Sequence, residues 1–189
     1  MRRVLVIGSP GAGKSAFSLE LATLTGLPLT HLDAEYWQPG WVRPSGGGWH
    51  MRIRQLVAPD AWILDGNYTS TLRPRAERAD TVVVLDYPRM LCLYRAVRRA
   101  LLNRRPERLN LGQKPLDRQF LSFIWNFPVV GRRQEAELQT LPHLNVVRLC
   151  SDAQARAWLH LVRLELVRLE AVRLSDAARA TPDTAGTSR

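Results

Sequence analysis

The feature that most constrains this chain is the eight-residue segment GSPGAGKS near its start. An apolar run at residues 4–7 precedes it, and a helical pattern over residues 14–24 follows, with Gly26 placed to end the helix. The segment matches G-x-x-x-x-G-K-[ST] in full, in the strand-loop-helix context that this motif needs. Backbone N–H groups of such a loop point inward and bind phosphate. We therefore predict a phosphate-binding loop, hereafter the P-loop, formed by Gly8, Ser9, Pro10, Gly11, Ala12, Gly13, Lys14 and Ser15.

Two P-loop residues carry most of the predicted chemistry. Lys14 places a compact positive charge on the β- and γ-phosphates of a nucleoside triphosphate, and the Ser15 hydroxyl is the expected Mg²⁺ ligand. Lys14 and Lys114 are the only lysines among 27 cationic side chains. The guanine-specifying motif N-K-x-D of GTPases is absent from the sequence, and motor or transport ATPases usually need a larger chain. A small kinase that uses ATP and Mg²⁺ is the remaining expectation.

Short apolar runs alternate with helical stretches along the chain. This alternation is typical of βαβ units, and it predicts an α/β fold with a parallel sheet covered by helices on both faces. The predicted strands lie at residues 4–7, 29–32, 62–64, 81–85 and 146–149. Asp33, Asp65 and Asp86 follow three of them, at the edge where open α/β sheets bind ligands. The alternative for each aspartate is that it only begins a turn or caps a helix.

Composition narrows the class of protein. A length of 189 residues fits one domain, expected over residues 1–175, and no apolar run approaches a transmembrane span. The apolar start is too short for a secretory signal, and Cys92 and Cys150 form neither a disulfide scaffold nor a zinc pattern. We expect a cytoplasmic protein without a membrane partner. The net charge of +10 indicates a polyanionic partner: nucleic acid, an acidic membrane or a small phosphorylated ligand.

Two stretches depart from the strand–helix alternation. Residues 36–50 are rich in Gly, Pro and Trp, which favours a mobile flap, and residues 103–118 are polar and basic. The latter lie between helices predicted at residues 89–102 and 117–127. Helical spacing in the second of these predicts a buried face made of Phe120, Phe123, Ile124 and Phe127.

The C-terminal part contains a five-residue repeat, VRLEL, VRLEA and VRLSD, at residues 162–176. Five residues advance a helix by about 500°, so Arg163, Arg168 and Arg173 point to different sides. A predicted helix over residues 152–175 therefore has no clean amphipathic face. It is either a terminal helix lengthened by a simple repeat or a self-association surface. Residues 176–189 are expected to form a disordered tail.

Several further segments carry a family resemblance. HLDAEYWQPGW (31–41), WILDGNY (62–68), RAERADTVVVLDYPRMLCLYRAVRR (75–99) and FLSFIWNFP (120–128) resemble adenylate-kinase-like P-loop proteins of the topology modulation protein family. More distantly, the layout is similar to nucleoside monophosphate kinases and shikimate-type kinases. The resemblance implies a five-stranded parallel sheet, a substrate flap at about residues 34–60 and an Arg-rich lid over ATP at about residues 100–118.

The resemblance also implies roles for the aspartates. Asp65 would hold Mg²⁺ through water, although Asp86 also fits the metal-side acid of a Walker B pattern. Asp33 matches the position that contacts or deprotonates the acceptor in small-molecule kinases. Because Asp33 would repel a phosphate, a hydroxyl acceptor or an indirect role of Asp33 linked to the metal is favoured. Asn67 and Tyr68 replace the Phe-Pro-Arg of true adenylate kinases, so the arginine that would read AMP is absent there.

The arginines are the remaining candidates. Arg95 and Arg99 share a helix face and resemble the lid arginines that clamp the transferring phosphoryl group, with Arg104 and Arg105 as further lid candidates. The alternative for these residues is a solvated basic face. Arg75 and Arg78 would bind an anion of the acceptor, or else form salt bridges with Glu77 or Asp80.

The flap tryptophans Trp37, Trp41 and Trp49 either stack on a ring of the acceptor or pack to close the flap.

These observations favour a nucleotide-kinase-like phosphotransferase that moves the γ-phosphoryl group of ATP to a small-molecule acceptor. Residues 89–118 carry +7 of the total charge of +10, so the basic excess lies mostly in the segment expected to close over the triphosphate. Two alternatives stay open: a nucleic-acid-associated ATPase, as the family label suggests, and a non-catalytic nucleotide-binding regulator assembled through the repeat helix.

Overall fold

A computed structural model describes residues 1–44, 47–102 and 116–180. Its centre is a five-stranded sheet with the order β2-β3-β1-β4-β5, in which every neighbouring pair is parallel. The strands are β1 Arg3–Gly8, β2 Leu29–His31, β3 Trp62–Asp65, β4 Thr81–Leu85 and β5 Asn145–Leu149. The predicted strands are therefore confirmed to within one residue at each end, and the order brings the P-loop between the ends of β3 and β4.

Helices cover the sheet on both sides. They are α1 Lys14–Thr25, α2 Leu32–Tyr36, α3 Trp49–Val57, α4 Leu72–Arg78, α5 Arg89–Leu101, α6 Arg118–Gln139 and α7 Asp152–Ala180, with a 3-10 turn at Thr69–Thr71. Alternate residues of β1 point to opposite faces: Val4 and Val6 join one buried cluster, and Leu5 and Ile7 join the other. Because both clusters are fully packed, the sheet is buried on both faces, as expected for parallel strands.

The flap region matches its composition. Among the described residues of the range 36–50, helix is confined to Tyr36 at the end of α2 and to Trp49 and His50 at the start of α3, and the rest is irregular, as its glycine and proline content favours. Ile53 and Val57, four residues apart, are buried and attach α3 to the core. Strand β2 ends two residues earlier than Asp33, which lies in the first turn of α2 and not directly after the strand. Ser45 and Gly46 lie outside the described residues.

Helix α6 was expected to end near residue 127, but it continues through Pro128 to Gln139. Proline removes a single helical N–H donor, and the buried residues Ile124 and Leu138 anchor the helix on either side of it. The predicted buried face is correct for Phe120, Ile124 and Phe127. It is wrong for Phe123, which is 43% exposed.

Helix α7 extends five residues beyond the predicted end of the repeat helix, to Ala180. Leu159 and Trp158 attach its first half to the core, where Trp158 lies 5.8 Å from the Phe17 ring. Within the repeat, leucine and valine side chains such as Leu164, Val167 and Leu174 are exposed. Self-association through this helix stays a prediction. In the described part of the chain, no helix combines the length and hydropathy needed to cross a membrane.

The predicted lid falls largely on residues 103–115, which lie outside the described residues together with Arg104 and Arg105. Residues 181–189 of the expected tail lie outside them as well.

Candidate functional site

The P-loop connects the end of β1 to the start of α1, where the motif predicts it. Gly11 and Gly13 both have a φ of 87°, in the left-handed region that favours glycine. A Cβ at Gly11 would lie 2.9 Å from the carbonyl carbon of Cys92, and closer still to its oxygen. The loop therefore packs directly on the backbone at the first turn of α5.

Lys14 lies inside the curve of this loop. Its Nζ donates hydrogen bonds to the carbonyls of Gly8 and Ser9, at 3.0 and 3.2 Å. Burial lowers the pKa of Lys14, the charges of Asp65 and Asp33 raise it, and that of Arg99 lowers it. The ammonium group is thus within electrostatic reach of three other candidate residues.

Asn67 holds the P-loop from the neighbouring strand end. Its side-chain Oδ1 accepts from the Gly8 amide at 3.0 Å, and its Nδ2 donates to the Gly8 carbonyl at 2.8 Å. The sequence segment DGNY does not indicate this role of Asn67. A paired amide contact between strand ends far apart in the chain leaves no periodic signal.

Asp65 is buried at the end of β3, with 5% of its surface exposed. Its Oδ2 lies 2.8 Å from Nδ1 of His31, which must carry the proton because a carboxylate only accepts. The other oxygen, Oδ1, is buried without a hydrogen-bond partner among the described residues. A buried carboxylate oxygen left open beside the P-loop fits the needs of a divalent cation.

The structure separates the two candidate metal acids. Asp65 lines the same cleft as Ser15 and Lys14. Asp86 is exposed, does not line this cleft, and lies 3.5 Å from a guanidinium nitrogen of Arg148. The described residues contain no cluster of three or more His, Cys, Asp or Glu side chains that would hold a metal by themselves. Ser15 and Asp65 both offer oxygen atoms to the cleft, and oxygen is the donor type that Mg²⁺ takes.

Asp33 faces the cleft from the first turn of α2. The Tyr68 hydroxyl donates to its Oδ1 at 2.7 Å, a contact that the sequence had not indicated. Burial raises the pKa of Tyr68, and the Asp33 charge raises it further, so the hydroxyl keeps its proton. Tyr68 therefore orients the carboxylate and uses one of its two oxygens.

Arg75 lies away from the cleft. It is completely buried, and its guanidinium donates to the backbone carbonyls of Gly66, Asn67, Tyr68 and Thr71. Burial lowers its pKa to about 10. Tyr68 has a φ of 33°, unusual for a residue with a side chain, and Arg75 stabilises this conformation.

Arg78 also points elsewhere. It donates to the carbonyls of Val57 and Ala58 at the end of α3, and lies 3.9 Å from Asp60. Neither Arg75 nor Arg78 lines the cleft, so the structure does not bring these two predicted anion-binding residues to it. It also shows neither of the alternative ion pairs: Glu77 pairs with Arg73, and Asp80 accepts from the amides of Arg2 and Arg3.

Arg95 and Arg99 share a helix but have different surroundings. Arg99 lines the cleft beside the P-loop, and this cleft has a volume of about 330 Å³. Arg95 forms an ion pair with Asp152 at the start of α7, and its guanidinium lies 5.3 Å from the centre of the Tyr87 ring. Both line a second cavity of about 550 Å³ between α1, α5 and α7, next to Gly13.

The three flap tryptophans divide into two groups. Trp37 and Trp41 line the cleft, with their ring centres 5.7 Å apart. Trp49 does not line it and packs on Tyr36 and Tyr68, at 4.9 and 4.8 Å. Trp49 therefore packs within the flap, and stacking of Trp37 or Trp41 on a ligand stays a prediction.

The cleft combines the P-loop, two carboxylates and an arginine at the carboxyl edge of the sheet. No protein-family model matches the chain, and no curated protein matches it in sequence. The structure is similar to a shikimate kinase from Acinetobacter baumannii in complex with shikimate, with a TM-score of 0.54 and 19% identity over 89% of this chain and 94% of that one. A shikimate kinase from Aquifex aeolicus gives a TM-score of 0.50 and 15% identity, over 91% and 98%. The fold is therefore that of α/β P-loop kinases.

Proposed function

We propose that this chain is an ATP- and Mg²⁺-dependent phosphotransferase that moves the γ-phosphoryl group of ATP to a hydroxyl group of a small-molecule acceptor. One observation carries the proposal: Lys14, Asp33, Asp65 and Arg99 all line one cleft at the P-loop. Phosphoryl transfer needs this combination, because catalysis rests on positioning the reactants and neutralising charge on the transferring group.

The P-loop amides and Lys14 would bind the β- and γ-phosphates. To reach them, Lys14 exchanges its two hydrogen bonds to loop carbonyls for phosphate oxygens. Ser15 and the open Oδ1 of Asp65 would hold Mg²⁺, which when bound neutralises charge on the phosphate oxygens. His31 fixes the orientation of Asp65 by donating to its other oxygen.

Asp33 would act on the acceptor. With Oδ1 engaged by Tyr68, Oδ2 is available to accept the acceptor's hydroxyl proton. As the hydroxyl oxygen forms its bond to the γ-phosphorus, the bond from that phosphorus to the β,γ-bridging oxygen breaks, and the proton passes to Asp33. The products are ADP and a phosphate ester. Arg99 would stabilise the charge on the transferring group from α5.

The second cavity suits the nucleoside part of ATP. It begins at Gly13 and is walled by apolar residues, with Arg98 and Arg156 among its charged side chains. A triphosphate bound by the P-loop would lead directly into it. In this assignment Arg95, held by Asp152, is a wall of the nucleoside cavity and does not clamp the γ-phosphoryl group.

We further propose that the chain is an adenylate-kinase-like phosphotransferase of the topology modulation protein family, that it is cytoplasmic, and that it assembles through α7. An association with nucleic acid requires steeply salt-dependent binding. A gel-shift series that shows no DNA binding even at low salt would remove that alternative.

The test of the proposed function is a coupled ADP-release assay over nucleosides, nucleoside monophosphates and small hydroxy acids. We expect ADP formation that depends on both Mg²⁺ and one class of acceptor. Lys14→Met and Asp65→Asn should abolish it, whereas Asp86→Asn, which removes the other candidate metal acid, should not. No ADP release with any acceptor, or loss of activity in Asp86→Asn with retention in Asp65→Asn, contradicts the assignment.

A further inference from the structure

We propose that the acceptor is a neutral alcohol that carries a flat aromatic ring, in the class of nucleosides and aryl alcohols. This inference rests on the proposed function and names the substrate class of the same cleft. It follows from the two walls of the cleft beyond the P-loop and from the charges found there.

The first wall is a contiguous group of aromatic rings from the flap. Tyr36 contacts Trp37, Trp49 and Tyr68, with ring centres 4.9 to 5.1 Å apart. Trp37 in turn contacts Trp41. Because Tyr36 and Trp49 support this group from behind, the rings that line the cleft are backed by packed side chains. Such a surface offers flat faces held in place before a ligand binds.

The second wall comes from α6. Phe120 and Phe123 line the cleft, one turn apart on the helix, with Val130 further along. Phe123 is 43% exposed and lies edge-on to Phe127, at 5.9 Å and 85°. Contact with an apolar ligand would remove the exposed phenylalanine ring from water, and this burial would stabilise the complex. The cleft thus has aromatic side chains on two sides.

The charges of the described residues disfavour an anionic acceptor. Among those that line the cleft, the lysine and arginine side chains are Lys14, in the P-loop, and Arg99, near the end of α5. The acceptor side holds Asp33, which repels an anion. Arg75 and Arg78, the sequence candidates for binding an anion, are bound to backbone carbonyls instead. A phosphate or carboxylate on the acceptor would therefore meet the like charge of Asp33, which favours a neutral acceptor.

The hydroxyl and the ring have separate partners. In the proposed binding mode the acceptor hydroxyl contacts Asp33 and its ring contacts Trp37 and Phe123, which line the same cleft as the P-loop. Loss of one stacking partner weakens ring binding by about 5- to 150-fold. Selectivity for a ring should therefore be visible as a large change in the acceptor KM.

The experiment compares matched acceptors by kcat/KM in the ADP-release assay. The pairs are a nucleoside against its 5′-monophosphate, and benzyl alcohol against cyclohexylmethanol and against mandelic acid. We expect kcat/KM for the neutral aromatic member of each pair to be at least tenfold higher. Comparison of the nucleoside with benzyl alcohol then shows which class of neutral aromatic acceptor is preferred. Equal or better use of the monophosphate, the saturated alcohol or the hydroxy acid overturns the inference while leaving the phosphotransferase intact.

Tryptophan variants provide the second measurement. Trp37→Leu should raise the acceptor KM about tenfold or more without changing the KM for ATP, and Trp37→Phe should restore part of the difference. Trp125→Leu is the matched control, because Trp125 is an exposed tryptophan of α6 that lies beneath Arg89 and outside the cleft. An acceptor KM that responds equally to Trp37→Leu and Trp125→Leu contradicts the ring-binding walls.

A binding measurement tests the inference if no acceptor is phosphorylated. If no acceptor yields ADP, the proposed function is refuted, and calorimetric titration of the full chain with a nucleoside and with benzyl alcohol decides the inference separately. The aromatic site is supported if these ligands bind and if Trp37→Leu weakens their binding whereas Trp125→Leu does not. The absence of binding overturns it.

Discussion

A side chain at Gly11 should damage the P-loop far more than a side chain at Gly13, although both glycines have a φ of 87°. Forcing alanine into this conformation costs about 1–2 kcal/mol at either position. A Cβ at Gly13 meets no atom within 4 Å, so Gly13→Ala should lose only that amount. A Cβ at Gly11 would lie 2.9 Å from the Cys92 carbonyl carbon and 3.1 Å from its Cα.

These distances decide the magnitude. Carbon atoms normally approach to about 3.5–4.0 Å, so either the P-loop or the first turn of α5 must move by about 0.5–1 Å. Such overpacking against backbone costs a further 1–3 kcal/mol or so. We expect Gly11→Ala to lose about 2–5 kcal/mol of the free energy of unfolding. Because the displaced amides line the phosphate site, ATP affinity should fall as well.

Urea unfolding followed by tryptophan fluorescence measures the difference. Gly26→Ala is a matched control, since Gly26 has a φ of 71°, an open Cβ position and a place at the end of α1 remote from the P-loop. It should resemble Gly13→Ala in stability, with unchanged m-values in all variants. Equal losses for Gly11→Ala and Gly13→Ala would refute the close approach between P-loop and α5.

Three further results are expected. Arg75→Met should lower the free energy of unfolding by about 3 kcal/mol or more in urea titrations, because it strips the hydrogen bonds from buried loop carbonyls; a loss below about 1 kcal/mol counts against this role. Asn67→Ala should weaken ATP binding in calorimetry about 5- to 100-fold by releasing Gly8; unchanged affinity would show that the clamp is dispensable. Burial alone would raise the pKa of Asp80, but hydrogen bonds from the Arg3 amide and other donors lower it overall. The stabilisation by the Asp80 carboxylate is therefore complete above the unfolded-state pKa and is lost as the pH falls through the lower folded-state pKa. Acidification from pH 7 to about pH 3 should thus lower the free energy of unfolding more in the natural chain than in Asp80→Asn. Parallel plots of this free energy against pH would contradict the prediction.

The parts of the fold that could be predicted from sequence are those with local signals. The run Thr81–Leu85 is apolar, β-branched and bounded by polar residues, and it is a strand with those bounds. Gly26 ends α1 in the left-handed conformation, as its position predicts. The P-loop needs only its own eight residues and the elements that flank them. In each case short-range chemistry determines the outcome.

The parts that could not be predicted depend on contacts between distant segments. His31 and Asp65 are 34 positions apart, and Asp33 and Tyr68 are 35 apart, yet each pair shares a hydrogen bond at one strand edge. Helix α3 also depends on such contacts, because burial of Ile53 and Val57 attaches it to the core after the irregular part of the flap. Phe123 shows the same limit, since helical spacing marks a face but does not say where the core ends and a cleft begins.

The basic charge of the chain has several physical causes, which a net value of +10 conceals. Arg75 is buried on backbone carbonyls, and Arg95 and Arg148 are in ion pairs with Asp152 and Glu135. These guanidinium groups stabilise the fold and need no external anion. Arg99, four residues from Arg95 on the same helix, is the arginine that lines the cleft in the described part of the chain. A polyanionic partner is therefore argued better from the position of Arg99 beside Lys14 than from the total charge, and that position fits the three phosphates of one nucleotide.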